Sequence, residues 1–232
     1  MTDPAPGPTA APIRVLIAED QALLRTTLAA LLEAEADMSV VGLAEDGNRA
    51  VALAAELRPD VVLMDIQMPG LTGIEATTRI CVDPALKAAR VLILTMFEID
   101  DYVLGALHAG ACGFLLKDTD PQALVDAVRT VHEGRSLLSP QVLARLVARM
   151  PRTAAGASGS ARADDVETLT PRQREVLLLI ARGLSNSEIE AELGITRATC
   201  RSHITALLAR LEARDRAQLV IAAYEAGLVS PR

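Results

Sequence analysis

Five short, unbroken apolar runs constrain this 232-residue chain more than any other feature. Each run is too short for a helix, and almost every residue in it is apolar, as in strands buried on both faces of a sheet. Amphipathic segments of helical length separate the runs. Five β–α units in series predict a flavodoxin-like, doubly wound α/β fold with a parallel five-stranded sheet. The runs are IRVLIA (13–18), SVVGLA (39–44), DVVLM (60–64), RVLILT (90–95) and ACGFLL (111–116).

The last third of the chain has a purely helical pattern. Capping boxes at 170–173 (TPRQ) and 185–188 (SNSE) mark two helix starts, and Thr196 is expected to cap a third. Gly183 and Gly194 are expected to end the helices that precede them. Two helices joined by so short a turn predict a helix-turn-helix within a small all-α domain.

The predicted organisation has three parts. Residues 12–135 form the α/β domain, and residues 167–232 form the helical domain. The segment 136–166 is expected to be a linker with a helix at about 139–150 and a flexible Ala/Gly/Ser-rich stretch at 151–165.

Charge is distributed unevenly along the chain. Residues 1–150 hold 12 Lys+Arg and 20 Asp+Glu, a net −8, whereas residues 151–232 hold 11 and 10, a net +1. Five arginines and two acidic residues within 197–216 make that stretch locally +3. This pattern favours a polyanion as the partner of the C-terminal part.

Composition excludes several classes of protein. Aromatic residues are nearly absent, so the core must be aliphatic. Three widely spaced cysteines (Cys81, Cys112 and Cys200) offer no disulfide framework and no metal knuckle. The first residues lack the basic and apolar regions of a signal peptide, and no apolar run approaches a membrane span. We therefore expect a cytoplasmic protein without a membrane partner.

Chemically useful side chains stand where the predicted strands end. Strand one is followed by Glu19 and Asp20, strand three ends at Asp65, strand four at Thr95, and strand five at Lys117. The carboxyl ends of parallel strands meet at one edge of the sheet, so these side chains are expected to converge. Three carboxylates suit Mg²⁺, while a lysine and a hydroxyl suit the oxygens of a phosphoryl group.

Each of these residues also has a purely structural interpretation. Asp20 could cap the helix that follows, Thr95 could be an ordinary β-branched strand end, and Lys117 could be a solvated charge. Any one of these interpretations is reasonable by itself. Five such residues at the correct strand ends favour a functional site.

The same residues carry a family resemblance. AED (18–20), MDIQMPG (64–70), LTM (94–96) and GFLLKD (113–118) resemble the receiver domain of bacterial response regulators. The sequence at 169–204, LTPRQREVLLLIARGLSNSEIEAELGITRATCRSHI, resembles the LuxR-type DNA-binding domain. Together the motifs resemble the NarL/FixJ family across nearly the whole chain.

The resemblance implies a role for each site residue. Asp65 corresponds to the aspartate that accepts a phosphoryl group from a sensor histidine kinase. Glu19 and Asp20, with Asp65 and the backbone carbonyl of Gln67, correspond to the Mg²⁺ ligands. Glu19 stands where Asp is more common in the family. Lys117 corresponds to the lysine that pairs with the phosphoryl group, and Thr95 and Phe114 to the switch pair, although Phe114 lacks the hydroxyl of a tyrosine.

The helix after Gly194 is expected to read DNA. Its apolar stripe (Cys200, Ile204, Leu207, Leu208 and Leu211) predicts a buried face. The residues away from that stripe can enter a major groove. In the family, the positions that correspond to Arg201, Ser202 and Thr205 contact DNA. A solvated arginine face is the alternative. The predicted DNA-contacting residues are Arg197, Arg201, Ser202 and Thr205.

Two further helices bear on regulation. The segment DDYVLGALHAG (100–110) is expected to be an exposed helix beside the switch pair. In the family, a helix at the position of 214–229 makes the dimer contact, whereas packing inside the domain is the alternative for Leu219, Val220, Ala223 and Ala226.

These observations predict a two-component response regulator that acts as a transcription factor and not as an enzyme. Its expected partners are a histidine kinase, double-stranded promoter DNA and, on activation, a second copy of the chain. A dehalogenase-type phosphatase is a first alternative, but that class needs a second aspartate where this chain has Gln67. A DNA-binding regulator with an unused receiver is a second alternative.

Overall fold

A computed structural model describes residues 11–96, 100–134, 137 and 166–229. Its first part is a five-stranded parallel sheet with the strand order β2-β1-β3-β4-β5, as the sequence predicts. The chain winds outward from β1 in one direction and then from β3 in the other, so the switch point lies between β1 and β3. The strands are β1 (Ile13–Ala18), β2 (Met38–Ala44), β3 (Val61–Asp65), β4 (Arg90–Thr95) and β5 (Gly113–Leu116).

Both faces of the sheet are buried, which explains why the apolar runs are unbroken. Val15 and Ile17 pack against α1 and α5, whereas Leu16 and Ala18 face α2, α3 and α4. The core is aliphatic, as composition predicts. The helices of this domain are α1 (Ala22–Glu33), α2 (Gly47–Leu57), α3 (Gly73–Val82), α4 (Asp100–His108) and α5 (Pro121–His132), with a short 3₁₀ turn at Pro84–Leu86.

The second part contains four helices around one apolar cluster. The predicted caps are present: the hydroxyls of Thr170, Ser185 and Thr196 each accept a hydrogen bond from a backbone N–H three residues on. Gly194 ends the second helix with a φ of 60°, in the left-handed region that glycine tolerates. The helices are α6 (Pro171–Ala181), α7 (Asn186–Leu193), α8 (Arg197–Arg210) and α9 (Arg216–Glu225).

Two of the predicted elements belong to a part of the chain that the structure does not describe. The helix expected at about 139–150 and the flexible stretch 151–165 lie outside the described residues. The predicted domain boundaries beside them therefore stay predictions. No described helix combines the length and the apolar character needed to cross a bilayer.

Helix α4 is not the exposed helix that the sequence predicts. Val103, Leu104 and Leu107 are buried, and they belong to the same apolar cluster as the core of α6–α9. The amphipathic pattern correctly identified a helix, but the face expected to meet solvent packs against the second domain. A pattern within one segment holds no information about such a distant partner.

Helix α3 starts in very close contact with the end of β3. A Cβ added to Gly73 would lie 1.8 Å from the backbone oxygen of Asp65, and the Gly73 N–H donates to the Ile66 carbonyl at 2.9 Å. Only a residue without a side chain allows this approach. The glycine therefore fixes the loop that follows Asp65.

We expect Gly73→Ala to lower the free energy of unfolding by at least about 2 kcal/mol, because backbone must move to admit the methyl group. Urea denaturation of the full chain measures the loss. Gly105→Ala is the matched control, since its Cβ would meet only side-chain atoms of Ile74, the nearest being Cδ1 at 3.3 Å. Equal effects of the two substitutions would contradict the close-approach interpretation.

Candidate phosphoacceptor site and DNA interface

The carboxyl edge of the sheet brings the predicted acidic residues together. Carboxylate oxygens of Glu19, Asp20 and Asp65 all lie within 4.8 Å of one another. Glu19 is fully buried and Asp65 is 3% exposed, whereas Asp20 is exposed. The three residues form the one cluster of potential metal ligands found in the described part of the chain. Three carboxylates this close repel each other unless cations compensate them.

Lys117 supplies that compensation within the protein. Its Nζ lies 2.8 Å from Glu19 Oε2 and 2.9 Å from Asp65 Oδ2, and its side chain is only 5% exposed. Burial opposes the charge of Lys117, but the two carboxylate contacts outweigh burial and raise the pKa of the lysine. Burial raises the pKa of the Glu19 carboxyl; the hydrogen bond from Lys117 opposes this shift, and the charge of Asp65 adds to it.

The structural interpretations of Asp20 and Lys117 do not hold. Gln21, not Asp20, occupies the N-cap of α1, and no side chain caps this helix. Asp20 is thus available to a ligand. Lys117 is buried and ion-paired, so it is not a solvated charge.

Arg25 is a site residue that sequence analysis misses. Its Nη1 donates to the carbonyls of Glu19 at 2.5 Å and Asp20 at 3.2 Å, which ties the acidic loop to α1. The Gln21 N–H also donates to Glu19 Oε1 at 3.2 Å. Nothing in the local pattern distinguishes Arg25 from the other arginines on helices.

A cleft of about 220 Å³ opens over Asp65. Thr95, 4% exposed, lines this cleft, and the backbone N–H of Lys117 donates to the Thr95 carbonyl at 2.8 Å. The Gln67 N–H reaches Asp65 Oδ1 at 3.4 Å. Tyr102 of α4 is a further lining residue that sequence analysis misses. The lining also includes Asp20, Gln21, Ile66, Met96 and Lys117.

Phe114 lies between two parts of the core. It is half-buried on β5 and packs against both the α2–α4 cluster and the cluster shared by α4 and α6–α9. Phe114 is not among the residues that line the cleft over Asp65.

Helix α8 presents the predicted reading face. Cys200 and Leu207 are fully buried, Leu211 is 8% exposed, and Ile204 and Leu208 pack against the same cluster. The predicted contact residues all lie in an open depression of about 830 Å³ on the opposite side of the helix. These are Arg197, Arg201, Ser202 and Thr205.

Three of the five arginines within 197–216 make hydrogen bonds inside the chain. Arg210 donates to the Thr168 carbonyl at 2.8 Å, Arg216 donates to the Asn186 side chain at 2.7 Å, and Arg214 donates to a backbone carbonyl of the α/β part of the chain. Only Arg197 and Arg201 of the five belong to the open face of α8. The predicted local charge of +3 therefore overstates the charge offered to a polyanion.

Most of the α9 residues that could form a dimer contact are buried within the chain. Leu219, Val220 and Ala223 of α9 are fully buried in the α6–α9 cluster, and Ala226 is partly buried. The structure thus places three of the four named residues in packing within the chain.

Two family models match the chain. The response regulator receiver domain matches residues 15–129, and the luxR family of bacterial regulatory proteins matches residues 167–223. The transcriptional regulatory protein LiaR of Bacillus subtilis is 40% identical over 218 residues, which cover 94% of this chain and all of LiaR. The chain belongs to the LuxR-type response regulators.

Other relatives agree with this membership. The response regulator protein VraR of Staphylococcus aureus is 40% identical over 217 residues, covering 94% of this response regulator and 99% of VraR. A LuxR-family response regulator from Aurantimonas is 36% identical, with a TM-score of 0.52 over 57% of this chain and 93% of that one. RcsB of Salmonella typhimurium, 23% identical, shares the fold over 91% of this chain and 97% of its own, with a TM-score of 0.51.

We expect Lys117→Ala to destabilise the regulator by about 3 kcal/mol in metal-free buffer, because two buried carboxylates lose their partner. In an Asp65→Asn background the same substitution should cost at least about 1 kcal/mol less, since one of the charges is gone. Urea denaturation of the four proteins measures this coupling. The exposed Asp118, changed to Asn, is the control and should show no coupling with Lys117; equal coupling for both would contradict the pairing.

Proposed function

We propose that Asp65 is phosphorylated by a sensor histidine kinase with Mg²⁺, and that the regulator then dimerises and binds promoter DNA in the cytoplasm. One observation carries the proposal. A buried carboxylate, a buried ammonium group and a hydroxyl meet at one cleft, at the switch point of a parallel sheet. Phosphoryl transfer needs such positioning and charge compensation more than it needs further covalent chemistry.

In the proposed reaction, an oxygen of the Asp65 carboxylate attacks the phosphorus of the kinase phosphohistidine. The P–N bond breaks, its electron pair returns to the imidazole, and an acyl phosphate forms on Asp65. Lys117 then faces the new phosphoryl oxygens and keeps its contact with Glu19. The hydroxyl of Thr95, a residue that lines the cleft, is the donor that can turn toward a phosphoryl oxygen.

The residues at this edge fit Mg²⁺. The ion prefers oxygen ligands and retains several waters, and the cluster offers Glu19, Asp20 and Asp65. The family resemblance adds the backbone carbonyl of Gln67, a residue that lines the same cleft. When bound, the ion would neutralise charge that develops on the transferring phosphoryl group. The exposed Asp20 gives it a path from solvent.

Thr95 and Phe114 would transmit the change at Asp65 to the DNA-binding helices. Movement of Thr95 toward the phosphoryl group would free space that Phe114 can fill, which alters the packing of α4. Phe114 already contacts both apolar clusters, so a change in its position reaches the DNA-binding helices. Two DNA-binding domains on one site would multiply the specificity of a single reading helix.

A regulator with an unused receiver is the second candidate. It is favoured by the open face of α8, which needs no rearrangement to become accessible. The phosphorylation experiment below separates the two candidates.

We expect Asp65→Asn to abolish labelling by acetyl phosphate and Mg²⁺, with the chain still folded. Intact mass spectrometry of wild type should show a single labile adduct. Asp118→Asn removes a nearby exposed carboxylate and should label normally. Undiminished labelling of Asp65→Asn would identify another acceptor, and an unlabelled wild type would favour the unused receiver.

We expect Arg201→Ala to weaken DNA binding by about 1–3 kcal/mol, with the larger loss if Arg201 reads a guanine. If Arg201 contacts only phosphate, the loss should be similar for specific and random duplexes, and the salt slope should fall by about one. Titrations at several salt concentrations measure both quantities.

The control for that titration is Arg182→Ala, which removes an exposed arginine at the C-terminal end of α6. It should leave affinity nearly unchanged. Unchanged affinity for Arg201→Ala on both duplexes would remove Arg201 from the interface.

We expect beryllofluoride, a phosphoryl mimic, to raise the association constant of the full chain at least about tenfold. Sedimentation equilibrium measures this constant, and Asp65→Asn should not respond. An association constant that stays the same while DNA affinity rises would show that release of domain contact, not dimerisation, activates the regulator.

A further inference from the structure

Arg25 holds the loop that carries two of the three acidic residues. This loop runs from the end of β1 into α1 and contains Glu19 and Asp20. The half-buried Arg25 donates from Nη1 to the Glu19 carbonyl at 2.5 Å and to the Asp20 carbonyl at 3.2 Å. One guanidinium nitrogen is therefore shared by two consecutive peptide groups.

These two carbonyls lie on either side of the Asp20 side chain. Each peptide group is planar, so a hydrogen bond to its oxygen restrains the whole plane. The planes before and after Asp20 are both held in this way, and with them the backbone dihedrals of Asp20. The direction of its Cα–Cβ bond, and hence the position of its carboxylate, depends on Arg25.

The other two carboxylates of the cluster are held by a different cation. Lys117 contacts both Glu19, at 2.8 Å, and Asp65, at 2.9 Å. Asp20 is the exposed member of the cluster, so its position depends most on the backbone that carries it. Lys117 and Arg25 thus hold different members of one acidic cluster.

The guanidinium of Arg25 lies at the end of α1 that normally disfavours a cation. The backbone dipole places partial positive charge at the start of a helix. Helix α1 also begins without a side-chain cap and without an acidic residue in its first turn. Arg25 nevertheless turns back to carbonyls five and six residues before it. The adjacent acidic cluster supplies the compensating negative charge.

We propose that Arg25 is a positioning residue for Mg²⁺, and that it orients the Asp20 carboxylate by holding the loop that carries it. The inference rests on the proposed function, because Mg²⁺ at the acidic cluster of Glu19, Asp20 and Asp65 is part of that function. Groups outside the coordination shell commonly orient metal ligands, and their removal weakens metal binding about 10–100-fold. Arg25 is itself a cation, so it acts through the backbone and not as a ligand.

Positioning and charge predict opposite results when Arg25 is removed. A cation close to a Mg²⁺ site repels the ion, so an effect of charge alone would make Mg²⁺ bind more tightly to Arg25→Ala. Loss of positioning would make Mg²⁺ bind more weakly, because Asp20 would have to be ordered at the moment of binding. A purely structural role in joining α1 to the loop would lower stability and leave the affinity for Mg²⁺ unchanged.

The test is a Mg²⁺ titration of the isotope-labelled full chain, followed by heteronuclear NMR at constant ionic strength. We expect the dissociation constant for Mg²⁺ to rise about tenfold in Arg25→Ala. Arg25→Lys keeps the charge, but one ammonium group on a flexible stem holds two carbonyls less rigidly. This variant should therefore also weaken binding, by a smaller factor. The dispersion of the same spectra shows whether each variant is folded.

The matched control is Arg129→Ala. Arg129 donates to the Asp37 carboxylate at 2.8 Å and to the Glu35 carboxylate at 2.6 Å, and Asp37 directly precedes β2. These ion pairs therefore lie at the amino edge of the sheet, opposite the acidic cluster. The substitution removes the same charge together with several ion pairs, and it should leave the dissociation constant for Mg²⁺ nearly unchanged.

The outcomes separate this inference from the proposed function. A folded Arg25→Ala that binds Mg²⁺ as tightly as wild type, or more tightly, would overturn the role of Arg25 and leave the proposed function standing. If Arg25→Ala does not fold, an unchanged dissociation constant in Arg25→Lys would overturn the same role. Weaker binding in the variants, with a wild type that acetyl phosphate does not label, would support Arg25 and contradict phosphorylation. A wild type that does not bind Mg²⁺ would contradict both.

Discussion

A single ammonium group, that of Lys117, compensates the buried negative charge at the edge of the sheet. Lys117 lies between two buried carboxylates, and without it Glu19 and Asp65 would repel each other inside a low-dielectric core. The lysine therefore stabilises the two buried carboxylates and also lies next to the group that Asp65 is proposed to accept. A phosphoryl group on Asp65 would take over one of its two contacts, and the energy of that exchange is available to shift the surrounding structure.

A structural change at Asp65 would have a short path to the second domain, through β4, β5 and α4. Thr95 ends β4 at the cleft, and Phe114 on β5 packs against both apolar clusters. Helix α4 begins five residues after Thr95 and ends in contact with α9. Helix α4 therefore has partners at both ends, so a displacement at the cleft would reach the second domain through one helix.

Periodicity and turn chemistry were sufficient to predict the local structure. The five apolar runs became the five strands, and the caps at Thr170, Ser185 and Thr196 stand where the pattern indicated. The acidic cluster and Lys117 could also be predicted, because parallel topology forces strand ends to one edge. The roles of these residues in phosphoryl transfer and DNA contact stay predictions.

What could not be predicted depends on contacts between distant segments. Arg25 and Arg214 resemble any other arginine in the sequence, and only the folded chain brings each of them to a set of backbone carbonyls. The exposure of α4 was predicted wrongly for the same reason, since its outer face is covered by helices more than sixty residues later in the chain. Side-chain hydrogen bonds to backbone leave no periodic signal.

Control of DNA binding by the state of Asp65, through association of two chains, is the core of the proposed mechanism. Its most direct test is the affinity of the full chain for a duplex selected from genomic fragments, titrated with and without beryllofluoride in wild type and Asp65→Asn. If phosphorylation acts through association, wild type should bind at least about tenfold more tightly with the mimic, its binding should depend more steeply on protein concentration, and Asp65→Asn should not respond. Equal affinities of wild type in both states would contradict it.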